Sequence, residues 1–456
     1  MDINAGDTAW LLASSALVLL MTPGLAFFYG GLTRAKSTLN MMMMSFITIG
    51  IVSILWALYG FTLAFGAAGT ASATSPDPSN GLWGHLSWDG LATAATTTFG
   101  AQGDQVPTIV FAAFQLMFAI ITPALISGSI ADRTKFISWS IFATIWTTIV
   151  YFPVAHWVFD SGTDGSGGGW LANWGVEDFA GGTAVHINAG AAALALCLVL
   201  GKRIGFRKDP MRPHNVPFVL LGAGLLWFGW FGFNAGSALA ANNLAGIAFM
   251  NTQVATAAAL CAWLIVEKIR DGRPTSVGAA SGAVAGLVAI TPACAFLTPL
   301  TSILLGLIAG SVCALAVGLK YKLGYDDSLD VIGVHLVGGI IGCLYLGFFS
   351  TDEINPAATN GLFFGGGGTL LGKQAVAALS VFAYSFTVAF ILGWIITKTI
   401  GFRISSDAEV EGIDLNEHSE TAYEFDTQSS TGAIPSGQLT GRDGAKDQAT
   451  SEGDGG

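Results

Sequence analysis

The chain has 456 residues, 52% of them hydrophobic, with only 19 Lys and Arg against 30 Asp and Glu. Its apolar runs reach about 18 residues or more, enough to cross about 30 Å of hydrocarbon, with charges held to their ends, which excludes a soluble globular domain. The net charge of −11 describes a tail, since residues 404–456 hold 12 acidic and 2 basic residues; it gives no ground for an acidic pore, and no basic patch points to nucleic acid.

The chain starts Met1-Asp2 with no basic region, so no secretory signal is expected. Apolar segments fall at about 8–31, 40–66, 105–130, 137–158, 180–201, 216–236, 246–266, 277–293, 299–319, 331–349 and 372–397, eleven spans with termini on opposite sides of the membrane. Alternate loops carry Arg34 and Lys36, Arg133 and Lys135, five basic residues from Lys202 to Arg212, then Lys268, Arg270 and Arg273, Lys320 and Lys322, and the tail. The other loops carry only Lys373, so 18 of 19 basic residues share one face. That asymmetry predicts an outer N-terminus and an inner C-terminus. The outer loops hold Asp77, Asp89, Asp104, Asp160, Asp164 and Glu177 instead. The loop at 67–103, with Trp83 and Trp88, reads as a plain connector. The 60 glycines fit close helix packing. The five cysteines, Cys197, Cys261, Cys294, Cys313 and Cys343, form no C-x-x-C pair and read as small buried packing residues.

Spans one to five and six to ten read as two halves, about 8–201 and 216–349, with an extra helix at about 372–397. Five is odd, so the halves cross the membrane in opposite directions. The predicted fold is an all-α membrane protein of eleven transmembrane helices, an inverted five-helix repeat plus one helix, with its binding site near the midplane. The first span of each half ends in aromatic–glycine text, GLAFFYGG (24–31) and GWFGFNAGS (229–237). The fifth span of each half carries V-H-x-x-x-G, from Val185-His186 to Gly190 and from Val334-His335 to Gly339, each preceded by an acidic residue, Asp178 and Asp330.

Ionisable groups at membrane depth are costly and usually mark a pathway. Each imidazole offers one donor and one acceptor nitrogen, so two rings sharing a hydrogen bond still present polar edges to a small guest. The alternatives are packing histidines or a metal site. A metal normally needs a third ligand, and no Cys, Asp or Glu lies within one turn of either His. FAAFQLMFAI sets Phe111, Phe114 and Phe118 on one helical stripe, and WFGWFGFNAGS adds Trp227, Phe228, Trp230, Phe231 and Phe233, with Ser237 four residues on. Such stripes are usually core or lipid-facing; at a pore mouth they can hold a cation or block the bore. Asp178 reads as a cap on the fifth span's free N–H groups, a role compatible with stabilising a cation.

The segments MTPGLAFFYGGLTR (21–34), ADRTKF (131–136), DFAGGTAVHINAG (178–190), GWFGFNAGS (229–237), TPACA (291–295) and DVIGVHLVGGIIG (330–342) closely resemble the ammonium transporter family (Amt/Mep/Rh), in its bacterial Amt branch. The likeness covers about residues 6–425, and the tail text EGIDLNEHSETAY (411–423) resembles that branch too. By position it implies that His186 and His335 are the twin pore histidines. It makes Phe118 and Phe233 the phenyl gate, with Phe114 one turn before, and Trp230 a pore-lining residue. It makes Ser237 the serine of the outer recruitment site and Asp178 the acid beneath it. One departure stands out. Bacterial members place Trp where VAHWVFD has Phe159, and a phenyl ring has a weaker quadrupole and no indole N–H. Weaker recruitment is expected unless Trp157 or Trp170 compensates.

The resemblance further implies uptake of ammonium across the cell membrane: outer recruitment, deprotonation, and passage of ammonia. It implies a homotrimer, no cofactor and no enzymatic chemistry. The domains expected are 1–403 in the membrane, a cytoplasmic regulatory tail at 404–425, and a disordered acidic tail at 426–456. A trimeric PII-type signalling protein is the implied cytoplasmic partner. For tail docking, Val410, Ile413, Leu415 and Tyr423 are expected to act as apolar anchors, with the basic loop from Lys202 to Arg212 as a weak electrostatic partner. The second reading is an ammonium sensor of the same fold. A fused signalling domain would favour it, and none is expected here.

Overall fold

The computed structural model describes residues 3–66, 81–100, 104–162 and 168–423. Asp77, Asp164 and the expected disordered tail at 426–456 lie outside them. The chain divides into Met1–Ala422 and Tyr423–Gly456; of the second unit only Tyr423 is described.

The apolar runs become long helices: α1 (Ala5–Leu32), α2 (Ala35–Phe65), α3 (Thr108–Ile130), α4 (Phe136–Phe159), α5 (Gly182–Leu200), α6 (Val216–Gly236), α7 (Asn243–Asp271), α8 (Ser276–Ile290), α9 (Pro299–Leu323), α10 (Ile332–Phe349) and α11 (Thr369–Thr399). Among the described residues ten of these are long and apolar enough to cross a membrane; α8 is the shorter one. Side chains cap many starts. Asn4, Asn215, Asn242, Thr275 and Thr298 each accept from a backbone N–H three residues on, satisfying a donor the helix leaves free.

The segment expected at 277–293 ends early because the TPACA stretch leaves the helix after Ile290. Irregular backbone inside a bundle must find partners within the protein. Asn251 supplies them, donating to Cys294 O at 2.8 Å and Leu297 O at 2.7 Å, while Phe179 N donates to Pro292 O at 3.0 Å. Four cysteines are buried, but Cys261 is exposed, because it sits on the outward face of α7.

Corresponding segments of the two halves lie side by side: α1 runs along α6, and α5 meets α10. Both α5 and α10 begin in a π-helical turn, Gly182–Ile187 and Ile332–Leu336, and each turn holds one of the two histidines. The glycines of the paired motif make their contact possible. A Cβ on Gly190 would stand 2.7 Å from Leu336 N, beside His335; one on Gly339 would stand 3.1 Å from the His186 Cβ. Each motif's glycine thus receives the other motif's histidine turn.

The end of the bundle with the basic loops is locked by buried charge. Arg203 reaches Asp326 through Nε at 3.0 Å and Nη2 at 2.8 Å, and Asp132 through Nη1 at 3.1 Å. Arg133, fully buried, donates to Ser328 Oγ and Asp326 O, both at 2.6 Å. Burial pushes the Asp326 carboxyl up, but the bonds from Arg203 and the charge of Arg133 hold it below the ordinary carboxylate value. These ties join the loops after α3, after α5 and before α10. Removing one partner of such a buried pair costs about 3–5 kcal/mol.

At the same end, α12 (Ser406–Glu411) and α13 (Ile413–His418) dock by carboxylates. Glu409 accepts from Ile204 N at 2.7 Å and Arg403 Nη2 at 2.6 Å. Asp414 accepts from Leu39 N at 2.9 Å and Asn40 N at 2.8 Å, and Glu417 from Phe136 N at 2.9 Å. Lys36 Nζ also donates to Val410 O. The expectation of apolar anchors is corrected here. Ile413 is fully buried, but Val410 is 58% and Leu415 49% exposed. Free N–H groups at the starts of α2 and α4 carry partial positive charge, and acidic side chains meet them with both geometry and sign.

Candidate functional site

Two chambers lie on either side of the Phe118–Phe233 ring pair. The first is a vestibule of about 440 Å³ at the end opposite the basic loops, whose wall includes Phe111, Phe118, Phe159, Ser237, Glu177 and Asp178. Phe159 comes from the end of α4, Phe118 from α3 and Ser237 from just beyond α6, so three separate segments converge. Phe118 and Phe159 stand 6.2 Å apart between ring centroids, nearly edge to face. Ser237 Oγ donates to Phe233 O at 2.8 Å, the i−4 bond that the four-residue spacing allows.

Phe118 on the vestibule wall and Phe233 on the wall of the next cavity stand with ring centroids 4.3 Å apart. Beyond them lies a cavity of about 10 Å³, room for about one water-sized guest, lined by Leu25, Phe28, Ile121, Leu125, Leu226, Val284, Trp230 and the two histidines among others. His186 lies 6.3 Å from Phe233 and 5.5 Å from Trp230. His335 Nδ1 and His186 Nδ1 are 3.2 Å apart, so one donates and the other accepts. That bond leaves each ring its Nε2 edge, and the His186 Nε2 is buried with no hydrogen-bond partner among the described residues. Trp230 gives its indole N–H to Thr291 Oγ1 at 2.8 Å, so it presents only ring surface to the cavity. The chamber is apolar except for imidazole nitrogen.

Asp178 caps the turn that holds His186. Its oxygens accept from Gly181 N at 2.8 Å, Gly182 N at 2.6 Å and Thr183 N at 2.7 Å, and from the Thr183 hydroxyl. Gly181 turns the chain into α5 at φ 120, a conformation that favours glycine. Burial pushes the Asp178 carboxyl up, and the four donors pull it back. The pairing of Asp178 with Asp330 is corrected by the geometry. Asp327 is the counterpart: it accepts from Val331 N at 3.1 Å and Ile332 N at 2.7 Å, and it precedes His335 by the same interval as Asp178 precedes His186. Asp330 instead pairs with Lys320 at 2.7 Å.

Phe114 packs edge-on behind Phe118 at 5.0 Å and is absent from the vestibule wall, where Phe111 stands. Neither indole named as a substitute for tryptophan at 159 reaches the wall. Trp157 donates to Leu82 O at 2.6 Å and packs on Trp170 and Tyr384. Phe99 and Glu177 are among the wall residues to which the sequence reading gave no site role. Phe99, carried by the short pairing of Thr98–Phe99 with Val106–Pro107, stacks on Phe111 at 3.9 Å. Glu177 was legible only as an acidic loop residue. Among the described residues no group of three His, Cys, Asp or Glu could hold a metal ion.

A bundle of long apolar helices around a small apolar cavity, set behind an aromatic vestibule, is the build of a membrane protein for a small solute. The chain belongs to the Ammonium Transporter Family, which residues 9–423 match. It is 55% identical over 433 residues to the ammonium transporter of Mycobacterium tuberculosis (strain H37Rv), covering 92% of this chain and 91% of that one. Its identity to the Bacillus subtilis ammonium transporter is 44% over 425 residues, covering 92% and 99%. Among solved structures, Candida albicans Mep2 superposes with a TM-score of 0.79 at 32% identity, covering 89% and 88%. A structure described as a sensor Amt protein superposes with a TM-score of 0.80 at 28% identity, covering 91% and 98%. The protein is accordingly a multi-pass protein of the cell membrane.

Proposed function

We propose that the protein carries ammonium into the cell by gathering the cation outside, removing its proton and passing ammonia along the histidine pair. The observation that supports this best is the bonded His186–His335 pair in an otherwise apolar chamber behind the Phe118–Phe233 rings. A bare cation in such a chamber pays a heavy desolvation cost, whereas neutral ammonia can hydrogen-bond to imidazole nitrogen. Phe118, Phe159 and Ser237 gather the cation, with Phe114 backing Phe118. It loses its proton near Asp178, and Trp230 helps keep the bore dry. The test is uptake of labelled methylammonium by cells with and without the protein; equal uptake in both would sink the reading.

The membrane arrangement that goes with this is eleven transmembrane helices with α8 as the short one. The N-terminus lies outside and the basic loops inside, in three-subunit assemblies with one bore per subunit. A sensor reading has the sensor Amt structure in its favour; transport by the purified protein in liposomes separates the two.

Phe159→Trp tests the recruitment step. A stronger quadrupole is worth about 0.5–1 kcal/mol here, so half-saturation should fall about two- to fivefold. Unchanged half-saturation at normal expression would mean that the cage does not rely on this ring.

We further infer that the tail segment 404–425 regulates the inner mouth, in concert with a PII-type partner. Deleting residues 404–456 frees the helix starts that Asp414 and Glu417 cap, and should change the transport rate. Deleting only 427–456 should leave it unchanged. If the longer deletion expresses, assembles and transports like the full chain, the segment is a tether and nothing more.

A further inference from the structure

We propose that Glu177 is a second cation-attracting carboxylate of the vestibule, acting beside Asp178 to set the apparent affinity for ammonium. This rests on the recruitment reading above and adds a residue to it.

The two acids are consecutive in sequence and share one vestibule wall, yet they are engaged in opposite directions. Asp178 is occupied by the turn at the start of α5. Glu177 turns toward the segment that follows α10. Its Oε2 accepts from Ser350 Oγ at 2.6 Å and its Oε1 from Thr359 N at 2.6 Å. Its backbone is gripped by Gln374 of α11, which accepts from Glu177 N at 3.0 Å and donates to Glu177 O at 2.6 Å. The residue is only 7% exposed, so its position is fixed rather than averaged over rotamers.

Both donors to this carboxylate are neutral. They orient it without cancelling its charge; burial pushes the Glu177 carboxyl above its ordinary value, while the bonds from Ser350 and Thr359 and the charge of Lys373 favour the ionised form. Thr359 and Asn355, from the same segment, line the same wall, so the charge is held at the rim of the chamber that leads to Phe118. A cleft with low-dielectric walls and one sign of charge concentrates the opposite ion. The aromatic side of this vestibule is built of phenyl rings, with Phe159 on the wall and neither Trp157 nor Trp170 among its lining residues. Gathering a small monovalent cation here therefore leans on charge. Asp178 must also hold the turn of His186, so its field cannot be altered without disturbing the bore; Glu177 has no such tie to the histidines.

The experiment uses the full chain in liposomes, with initial uptake of labelled methylammonium measured against concentration at two ionic strengths. Glu177→Gln keeps an oxygen for the Thr359 N–H and a polar partner for Ser350 while removing the charge. Half-saturation should rise about three- to tenfold at low ionic strength, with the maximal rate within about twofold, and its salt dependence should flatten. Adding Asn355→Asp to that variant returns a carboxylate to the same wall and should restore affinity, which a purely structural role for Glu177 would not allow. Phe159→Ala is the control for recruitment itself. If it raises half-saturation while Glu177→Gln leaves both half-saturation and salt dependence unchanged, the inference is overturned and recruitment stands. If neither variant changes anything, the recruitment reading falls as well. Should Glu177→Gln fail to reach the membrane, Asn355→Asp alone decides: an added carboxylate must lower half-saturation, and an unchanged value overturns the proposal.

Discussion

Alanine in place of His186 or of His335 is expected to abolish selective conduction of ammonia. Each ring presents a nitrogen edge in a chamber whose other lining is apolar, and the two hold each other through the 3.2 Å Nδ1 contact. Removing one ring takes away a hydrogen bond to a desolvated guest and leaves the other imidazole without its partner. At about 2–3 kcal/mol for such a loss, the rate should fall about 30- to 150-fold. The truncated side chain also widens the chamber, so water and inorganic cations should begin to pass. Uptake of labelled methylammonium and cation conductance in planar bilayers read these two effects separately. Single mutants that both keep the normal rate and the normal selectivity would remove the histidines from the pathway.

Asp178→Ala is expected to be at least as damaging, for a different reason. It strips the acceptor from Gly181 N, Gly182 N, Thr183 N and the Thr183 hydroxyl at once. Hydrogen bonds to a charged acceptor contribute about 1.5–3 kcal/mol each, so the π-helical turn carrying His186 should loosen. Uptake should drop about 100-fold or more, with a lower melting temperature of the purified protein. Asp178→Asn keeps one oxygen for part of the turn, so it should melt closer to the native protein yet still transport poorly, since the charge is gone. Asp178→Ala with native stability and full uptake would exclude both roles. Asp327→Ala should loosen the matching turn at His335 by the same physics.

Hydropathy located the long helices because lipid and a buried bundle impose the same demand on every residue of a span. The ends were less legible. The expected 277–293 segment overran its helix because TPACA is as apolar as helix but is held irregular by Asn251, which lies on another segment. The histidine pair was readable because two ionisable residues repeat in one apolar motif. The π-helical turns beneath them were not, since no residue type marks a single wide turn. Asp330 looked like the partner of Asp178 because it stood closer to the second motif; only the hydrogen bonds pick out Asp327. Phe114 and Phe118 share a stripe, and sequence spacing cannot tell which phenyl faces a chamber and which backs it. The tail failed in an instructive way. Apolar residues among acids suggested hydrophobic anchoring, but the acids themselves find the free N–H groups of helix starts that are distant in sequence.

The charged lock at the basic end bears on how quickly the protein can work. Arg203, Arg133, Asp132 and Asp326 bolt together the loops that a rocking motion of one helix group against another would have to pull apart. Breaking those bonds on each cycle would add a barrier of several kcal/mol, and motions of that scale take microseconds to milliseconds. With the frame bolted, the cheapest event that would admit a molecule along the proposed pathway is a change of torsion in the Phe118 and Phe233 rings. Such a protein resembles a turnstile set in masonry: its throughput follows the swing of two light arms, and the wall stays still.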